Sequence, residues 1–361
     1  MRLAHSSLHV VRLPYERPVR WSDIVEDGAQ FLLLRLDADS GHTGVAEMTL
    51  KPTWTGASQR SLIAALEDVF LPLLQTLELS DVEAVRSSLD GIPENHAAKA
   101  LIDNALWDLH AAAAGKPLWQ TWGGAETVPV SFTVTRQAPA LMAAEAALMA
   151  ERYGFTTLKI KGGQGIDVDV AAMRELRAAV GNTSRMYVDA NGAYALADAA
   201  RYVQAMADAG AEVVEDPCAL APDAAFRQLQ QSAPTPVLVD FGCGSRRDAR
   251  LFIDAGARAL SLKPGRFGLS DTRFMSTLAQ QAGCKTVVGM FGESMLGTLA
   301  ALQLSATLPP ASLPAEVTWF LAMTEQIVST PIEIQDGMIR LPAVAGSAAL
   351  IDWNRVARLT P

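Results

Sequence analysis

Cysteine, basic charge and long apolar runs are all scarce in this chain of 361 residues. The three cysteines, Cys218, Cys243 and Cys284, form no CxxC pair and are odd in number. Neither a disulfide framework nor a zinc site is expected, and a reducing cytoplasm is the simplest setting. No apolar run approaches the roughly 18 residues that a membrane span needs, so no membrane partner is expected. The stretch "MRLAHSSLHVVRLPY" has no continuous apolar segment, so no signal peptide is expected. The net charge is −9, with no long basic run, which argues against a nucleic-acid partner. No GxGxxG follows the first strand pattern of the repeating region, which argues against dinucleotide binding.

What is present is a globular composition, half hydrophobic and 19% charged, on a chain too long for one small core. Residues 1–125 read as an α+β domain. The strand patterns are "LHVVRLPY", "FLLLRLDADSG" and "HTGVAEMTL". Helical patterns follow in "SLIAALEDVFLPLLQTL", "DVEAVRSSL" and "AAKALIDNALWDLHAAAAGKPLWQTWGG". From 126 to 325 short apolar strands alternate with Ala-rich helical stretches: "VPVSFTV", "TTLKIKGG", "RMYVDANG", "AEVVEDP", "PVLVDFG", "ALSLKPG", "KTVVGM" and "AEVTWF". Repeated βα units imply a parallel sheet, and eight of them imply a closed barrel. Residues 326–361 contain a hairpin pattern turning at Asp336-Gly337 and are expected to return to the N-terminal domain.

The stretch "TTLKIKGG" sets Lys159 and Lys161 on one face of a buried strand, where two ammonium groups repel and lose hydration. Later strand ends each carry a charge: Asp189 with Asn191, Glu215 with Asp216, Asp240, and Lys263. The steps from Lys161 to Asp189, Glu215, Asp240 and Lys263 are 28, 26, 25 and 23 residues, close to one βα unit. These charges therefore stand at one height on successive strands, at the end where barrel active sites form. Three carboxylates from adjacent strands need a counter-charge. Oxygen donors without His or Cys suit a hard divalent cation, Mg²⁺ above all. A lysine beside another cation has its pKa lowered, so Lys159 would depress Lys161, or the reverse, and a neutral lysine is a general base. Lys263 ends the sixth strand, opposite the second in a ring of eight. A lysine enzyme working through a Schiff base would need no metal, and the three registered acids count against it.

The order KxK, D, E, D, K on successive strands resembles the enolase superfamily, muconate-lactonizing-enzyme subgroup (mandelate racemase/muconate lactonizing enzyme-like). The resemblance spans nearly the whole chain. It implies an α/β fold, a modified TIM barrel (β/α)7β with an N-terminal α+β capping domain at 1–125, a C-terminal return at 326–361, and the barrel at 126–325. It further implies that Asp189, Glu215 and Asp240 bind Mg²⁺, for which Mn²⁺ could substitute, with Lys161 and Lys263 as the acid/base pair and Lys159 supporting Lys161. Glu293 is expected near the substrate. Asn191 is expected as a capping or substrate-side residue and not on the metal. The implied chemistry is abstraction of a proton α to a carboxylate through an enediolate, by a homo-oligomer acting on a small carboxylate substrate. A racemase or epimerase of an amino-acid derivative leads. A cycloisomerase, or a dehydratase or synthase, is the alternative.

Two departures narrow the substrate. Phe241 follows Asp240 where the subgroup usually has another acid, and "EVTWFLAM" lacks the Asp-x-Asp that dipeptide epimerases of the subgroup carry for a free ammonium. The loops "YERPVRWSDIVEDG" and "EMTLKPTWTGASQ" bring Trp21 and Trp54, and the eighth strand brings Trp319. These rings either pack between domains or line a pocket. A pocket would suit an apolar or N-acyl group, or a quaternary ammonium held by cation–π contact.

Overall fold

The computed structural model describes residues 1–21 and 24–361. Ser22 and Asp23, within the first tryptophan-bearing stretch, lie outside the described residues. The N-terminal strands β1 (Leu3–Trp21), β2 (Ile24–Ala38) and β3 (Thr43–Thr49) form an antiparallel meander in the order β1-β2-β3. The stretch expected as a loop around Trp21 is instead the far end of the β1/β2 hairpin, where Trp21 pairs with Ile24 beyond a register shift between Pro14 and Val19. The Pro-rich segment lacks ladder donors, so pairing lapses there and resumes. The first helical pattern is split: helix Gln59–Ala65, a π turn at Leu66–Phe70, then helix Leu71–Thr76 with Pro72 in its first turn. Proline cannot donate to the preceding turn, and the ladder widens there.

Strand β4 (Thr127–Pro129) precedes seven parallel strands in the sheet order of the chain: β5 (Phe132–Val134), β6 (Thr157–Lys161), β7 (Arg185–Asp189), β8 (Val214–Glu215), β9 (Val237–Val239), β10 (Ala259–Leu262) and β11 (Lys285–Val288). Helices follow each, from Pro139–Tyr153 to Met295–Ser305. The expected first strand "VPVSFTV" is thus two strands. β4 pairs antiparallel with β13 (Met338–Arg340), which forms a hairpin with β12 (Ile334–Gln335). The hairpin turns at Asp336-Gly337, both at positive φ, +52° and +68°, as a two-residue turn requires. Its partner is the entry to the barrel rather than the N-terminal sheet. The last helix, Trp353–Leu359, sets Trp353 against His9 and Arg35 of the N-terminal sheet.

The expected eighth strand is a correction. "AEVTWF" makes a single parallel bridge, Val130 with Ala315, and passes into a 3-10 turn at Trp319–Ala322. Its backbone still joins the two sheet edges. Leu313 N and Glu316 N donate to Thr286 O and Val288 O (2.9 and 2.8 Å). On the other side Ala315 N donates to Pro129 O, and Ser131 N donates to Ala315 O (both 2.9 Å). Pro314 has no N–H, so the seam cannot be a full strand. Inside the barrel, Tyr187, Val213, Leu238, Ala259, Val287 and Leu313 pack as an apolar layer, which leaves the strand ends as the place for charge.

Candidate active site

Register aligns the charges. Lys161 lies opposite Asp189 on β6/β7, and Asp189 opposite Glu215 on β7/β8. Asp240 and Lys263 are the first residues past β9 and β10. All are buried. Lys159 Nζ lies 2.6 Å from Glu215 Oε2, 2.9 Å from Glu316 Oε2 and 3.2 Å from Asp189 Oδ2. Lys161 Nζ is 2.6 Å from the same Asp189 oxygen, and Lys263 Nζ is 2.5 Å from Asp240 Oδ2.

Of the two expected effects, Lys159 depressing Lys161 or the reverse, the reverse does not hold at Lys159. Burial would lower its pKa, but Glu215, Glu316 and Asp189 outweigh burial and raise it well above the ordinary lysine value. Lys159 is a fixed cation that ties three strand-end acids together. The acids diverge in turn. Burial would raise Asp189, yet Lys161 and Lys159 hold it well below the usual carboxylate range. Asp240 is lowered against burial by Lys263 and Lys159. Glu215 is raised by burial and by Asp189, and Asp216 is pushed up to about 7 by burial and by Asp240. Asp216 also accepts from Asp240 N and Phe241 N (3.1 and 2.8 Å), so the backbone beside Phe241 is held by the acid of the preceding strand.

Above this layer lies a cavity of about 440 Å³, open mouth included, walled by Lys161, Lys263, Trp21, Trp54, Trp319, Lys51, Thr135, Met290, Phe291 and Gly292. The three sequence-expected tryptophans therefore meet the two lysines. Trp319 donates from Nε1 to Tyr15 OH (2.9 Å), and Trp54 stands edge-on to Phe241 and Phe291. Cations of the protein occupy some of the ring faces. Lys263 Nζ is 4.2 Å from the Trp54 centroid, Arg266 is 5.4 Å from the same ring, and Lys51 Nζ is 4.8 Å from Trp21. This argues against a substrate ammonium on those two rings.

Asn191 and Glu293 are not among the residues that wall this cavity. Asn191, at φ +50°, donates N–H and Nδ2 to Asp189 (2.8 and 3.1 Å) and orients that carboxylate. Glu293 accepts from Phe291 N (2.7 Å), and burial raises its pKa.

Two family models match the chain: "Mandelate racemase / muconate lactonizing enzyme, N-terminal domain" over residues 6–123 and "Enolase C-terminal domain-like" over 141–355. The chain belongs to the mandelate racemase/muconate lactonizing enzyme family of the enolase superfamily. It is 30% identical to the N-succinylamino acid racemase of Thermus thermophilus, over 100% of this chain and 98% of the relative. The muconate lactonizing enzyme of Pseudomonas fluorescens, solved with muconolactone, superposes with a TM-score of 0.94 at 25% identity, over 100% and 99% of the two chains. The dipeptide epimerase of Cytophaga hutchinsonii, solved with Mg and D-Ala-L-Val, gives 0.92 at 25% identity, over 99% and 98%. The protein is accordingly an enzyme of α-proton abstraction.

The superfamily's metal can be tested against these residues. As the side chains stand, no three acidic, His or Cys residues among the described residues are gathered closely enough to hold an ion, because Lys159 Nζ lies between Asp189 and Glu215. The donor set nonetheless fits a hard cation. Glu215 Oε1 and Asp240 Oδ1 are buried without a hydrogen-bond partner. Five carboxylates (Asp189, Glu215, Asp216, Asp240, Glu316) meet three ammonium groups (Lys159, Lys161, Lys263), and the raised Glu215 and Asp216 mark where protons make up the imbalance.

Two residues of this enzyme escape a reading by strand spacing. Glu316, on the seam, accepts from Lys159, from Tyr187 OH (2.5 Å) and from Met290 N (3.4 Å). Its signal was an acid in the first half of "AEVTWF". Lys51, between β3 and Pro52, was a lone cation inside the stretch that carries Trp54.

Proposed function

We propose that the enzyme racemises or epimerises an N-substituted amino acid at its α-carbon. The observation that carries this reading is a cavity walled by both Lys161 and Lys263. Lys161 takes the α-proton from one face, and Lys263 returns a proton to the other; the roles exchange for the opposite enantiomer. Asp189, Glu215 and Asp240 would hold Mg²⁺, or Mn²⁺ in its place. Such an ion, once bound, supplies positive charge for the negative charge that develops on the substrate carboxylate. Lys159 keeps the acids apart and in register. Asn191 orients Asp189, and Glu293 supports the loop at Phe291. Trp319, Trp54 and Trp21 exclude water and favour an apolar N-substituent over a free ammonium. The three cysteines are free and buried, in keeping with a cytoplasmic setting.

A cycloisomerase is the second reading, supported by the full-length likeness to a muconate lactonizing enzyme. The separating experiment follows both enantiomers of N-acyl amino acids by chiral chromatography with Mg²⁺, beside cis,cis-muconate followed by ultraviolet absorbance. Racemisation with muconate untouched supports the first reading. Lactone formation without racemisation replaces it with the second.

A further inference from the structure

Four successive backbone N–H groups past Lys161 are each held. Gly162 N donates to Asp189 O (2.9 Å). Gly163 N and Gln164 N donate to the two oxygens of Asp169 (2.6 and 3.2 Å), and Gly165 N donates to Tyr194 OH (3.3 Å). Asp169 is the fourth residue of helix Ile166–Val180 and is buried. Tyr194 and Tyr202 donate their hydroxyls to its Oδ2 (2.8 and 3.1 Å), and their rings stack at 4.2 Å. Tyr194 follows β7 and Tyr202 lies on helix Leu196–Asp208, so both belong to the βα unit that carries Asp189. Four charge-assisted donors on one buried carboxylate fix it firmly. Glycine lets the partners close on the chain. A Cβ at Gly162 would lie 2.6 Å from Tyr202 Oη and 2.9 Å from Asp169 Oδ2, and one at Gly163 would lie 2.7 Å from Ala190 O. On the other side Arg136 donates from Nε to Gly162 O (2.6 Å) and from Nη2 to Ala190 O (3.3 Å). The end of β6 is thereby clamped against the end of β7.

We infer that Asp169 is a positioning residue for Lys161. Its carboxylate sets the height at which β6 delivers that ammonium to the cavity, and with it the proton transfer on one face of the substrate. The effect on one face rests on the reading above, in which Lys161 and Lys263 act from opposite sides. Lys263 stands past β10 and is paired with Asp240, outside this clamp, so the other face is spared. A misplacement of about 1 Å in a reacting group costs on the order of 100-fold in rate.

The test uses Asp169→Asn, which keeps the side-chain volume but cannot accept from all four donors, in the Mg²⁺-loaded protein. Competitive acetylation read by peptide mass mapping gives the labelling of Lys161 relative to Lys263 within each sample. That ratio should rise several-fold in the variant, as the strand end loosens and Lys161 opens to the reagent. Exchange of the α-proton in D₂O is followed on each enantiomer of an N-acyl amino acid. It should fall about 10- to 100-fold for the enantiomer that Lys161→Ala leaves unexchanged, and stay near wild type for its mirror image. An equal fall for both enantiomers, or an unchanged labelling ratio, overturns the inference, because a role confined to stability predicts both. Tyr194→Phe/Tyr202→Phe removes two of the donors and should move both readouts in the same direction by less. Where Asp169→Asn does not fold, no shift in that double variant overturns the inference instead. A shifted labelling ratio with no exchange in wild type keeps the positioning role and removes the racemase. Exchange in wild type with an unshifted ratio does the reverse.

Discussion

Lys159 gathers three acids of the site onto one ammonium group. Three carboxylates converge on its ammonium within 3.2 Å in a fully buried layer. Removing one partner of such a cluster leaves uncompensated buried charge, at a cost of about 3–5 kcal/mol. Lys159→Met should lose stability on that scale in urea denaturation with a chelator present, and an unchanged midpoint would refute the assignment. Lys161 and Lys263 call for a different measurement. Each Lys→Ala variant should stop racemisation. One should still exchange the α-proton of one enantiomer with solvent, and the other that of its mirror image. Exchange of the same enantiomer by both would contradict bases on two faces. The strand-end lysines and acids were legible in sequence because each ends an apolar run at a regular step. Lys51 and Glu316 were not, because neither belongs to that frame: one follows a cap strand, and the other sits on a seam broken by Pro314.

At the scale of elements, the sequence pattern located seven βα units and missed how the ring closes. A strand shows itself by a run of alternating or apolar residues. The 313–316 seam holds the edges together with four backbone hydrogen bonds and little regular structure, so no period marks it. The contact between cap and barrel is equally silent in sequence. There, Glu47 on β3 reaches the start of helix Met295–Ser305, accepting from Ser294 N (2.8 Å) and Ser294 Oγ. Burial pushes the Glu47 carboxyl up to about 7. Since the folded pKa lies above the unfolded value, the proton stabilises the native state. That contribution is full below about pH 4 and is lost as the pH rises through about 7. Glu47→Gln can keep both contacts with Ser294 and removes the titration. Relative to wild type, the variant should gain roughly 3 kcal/mol between pH 4 and pH 8. Urea midpoints at several pH values test this, and a pH-independent difference would contradict it.

Over the whole molecule, cap and barrel each supply what the other lacks. The barrel floor carries five acids and three lysines, and the cap brings aromatic rings and Lys51 over it. The excess of acids over ammonium groups predicts that Mg²⁺ can displace protons there and stabilise the fold by mass action, with a melting temperature that rises with metal concentration. Asp189→Asn, Glu215→Gln and Asp240→Asn should each blunt that rise, and an equal rise in all three variants would place the ion elsewhere. The most direct measurement of the central claim is proton NMR of N-acyl amino acids incubated with the enzyme and Mg²⁺ in D₂O. Loss of the α-proton signal in wild type, abolished by EDTA and absent from the Lys161→Ala/Lys263→Ala double variant, is the predicted result. An α-proton that stays in place with every carboxylate offered, or one that exchanges equally in the double variant, would contradict it.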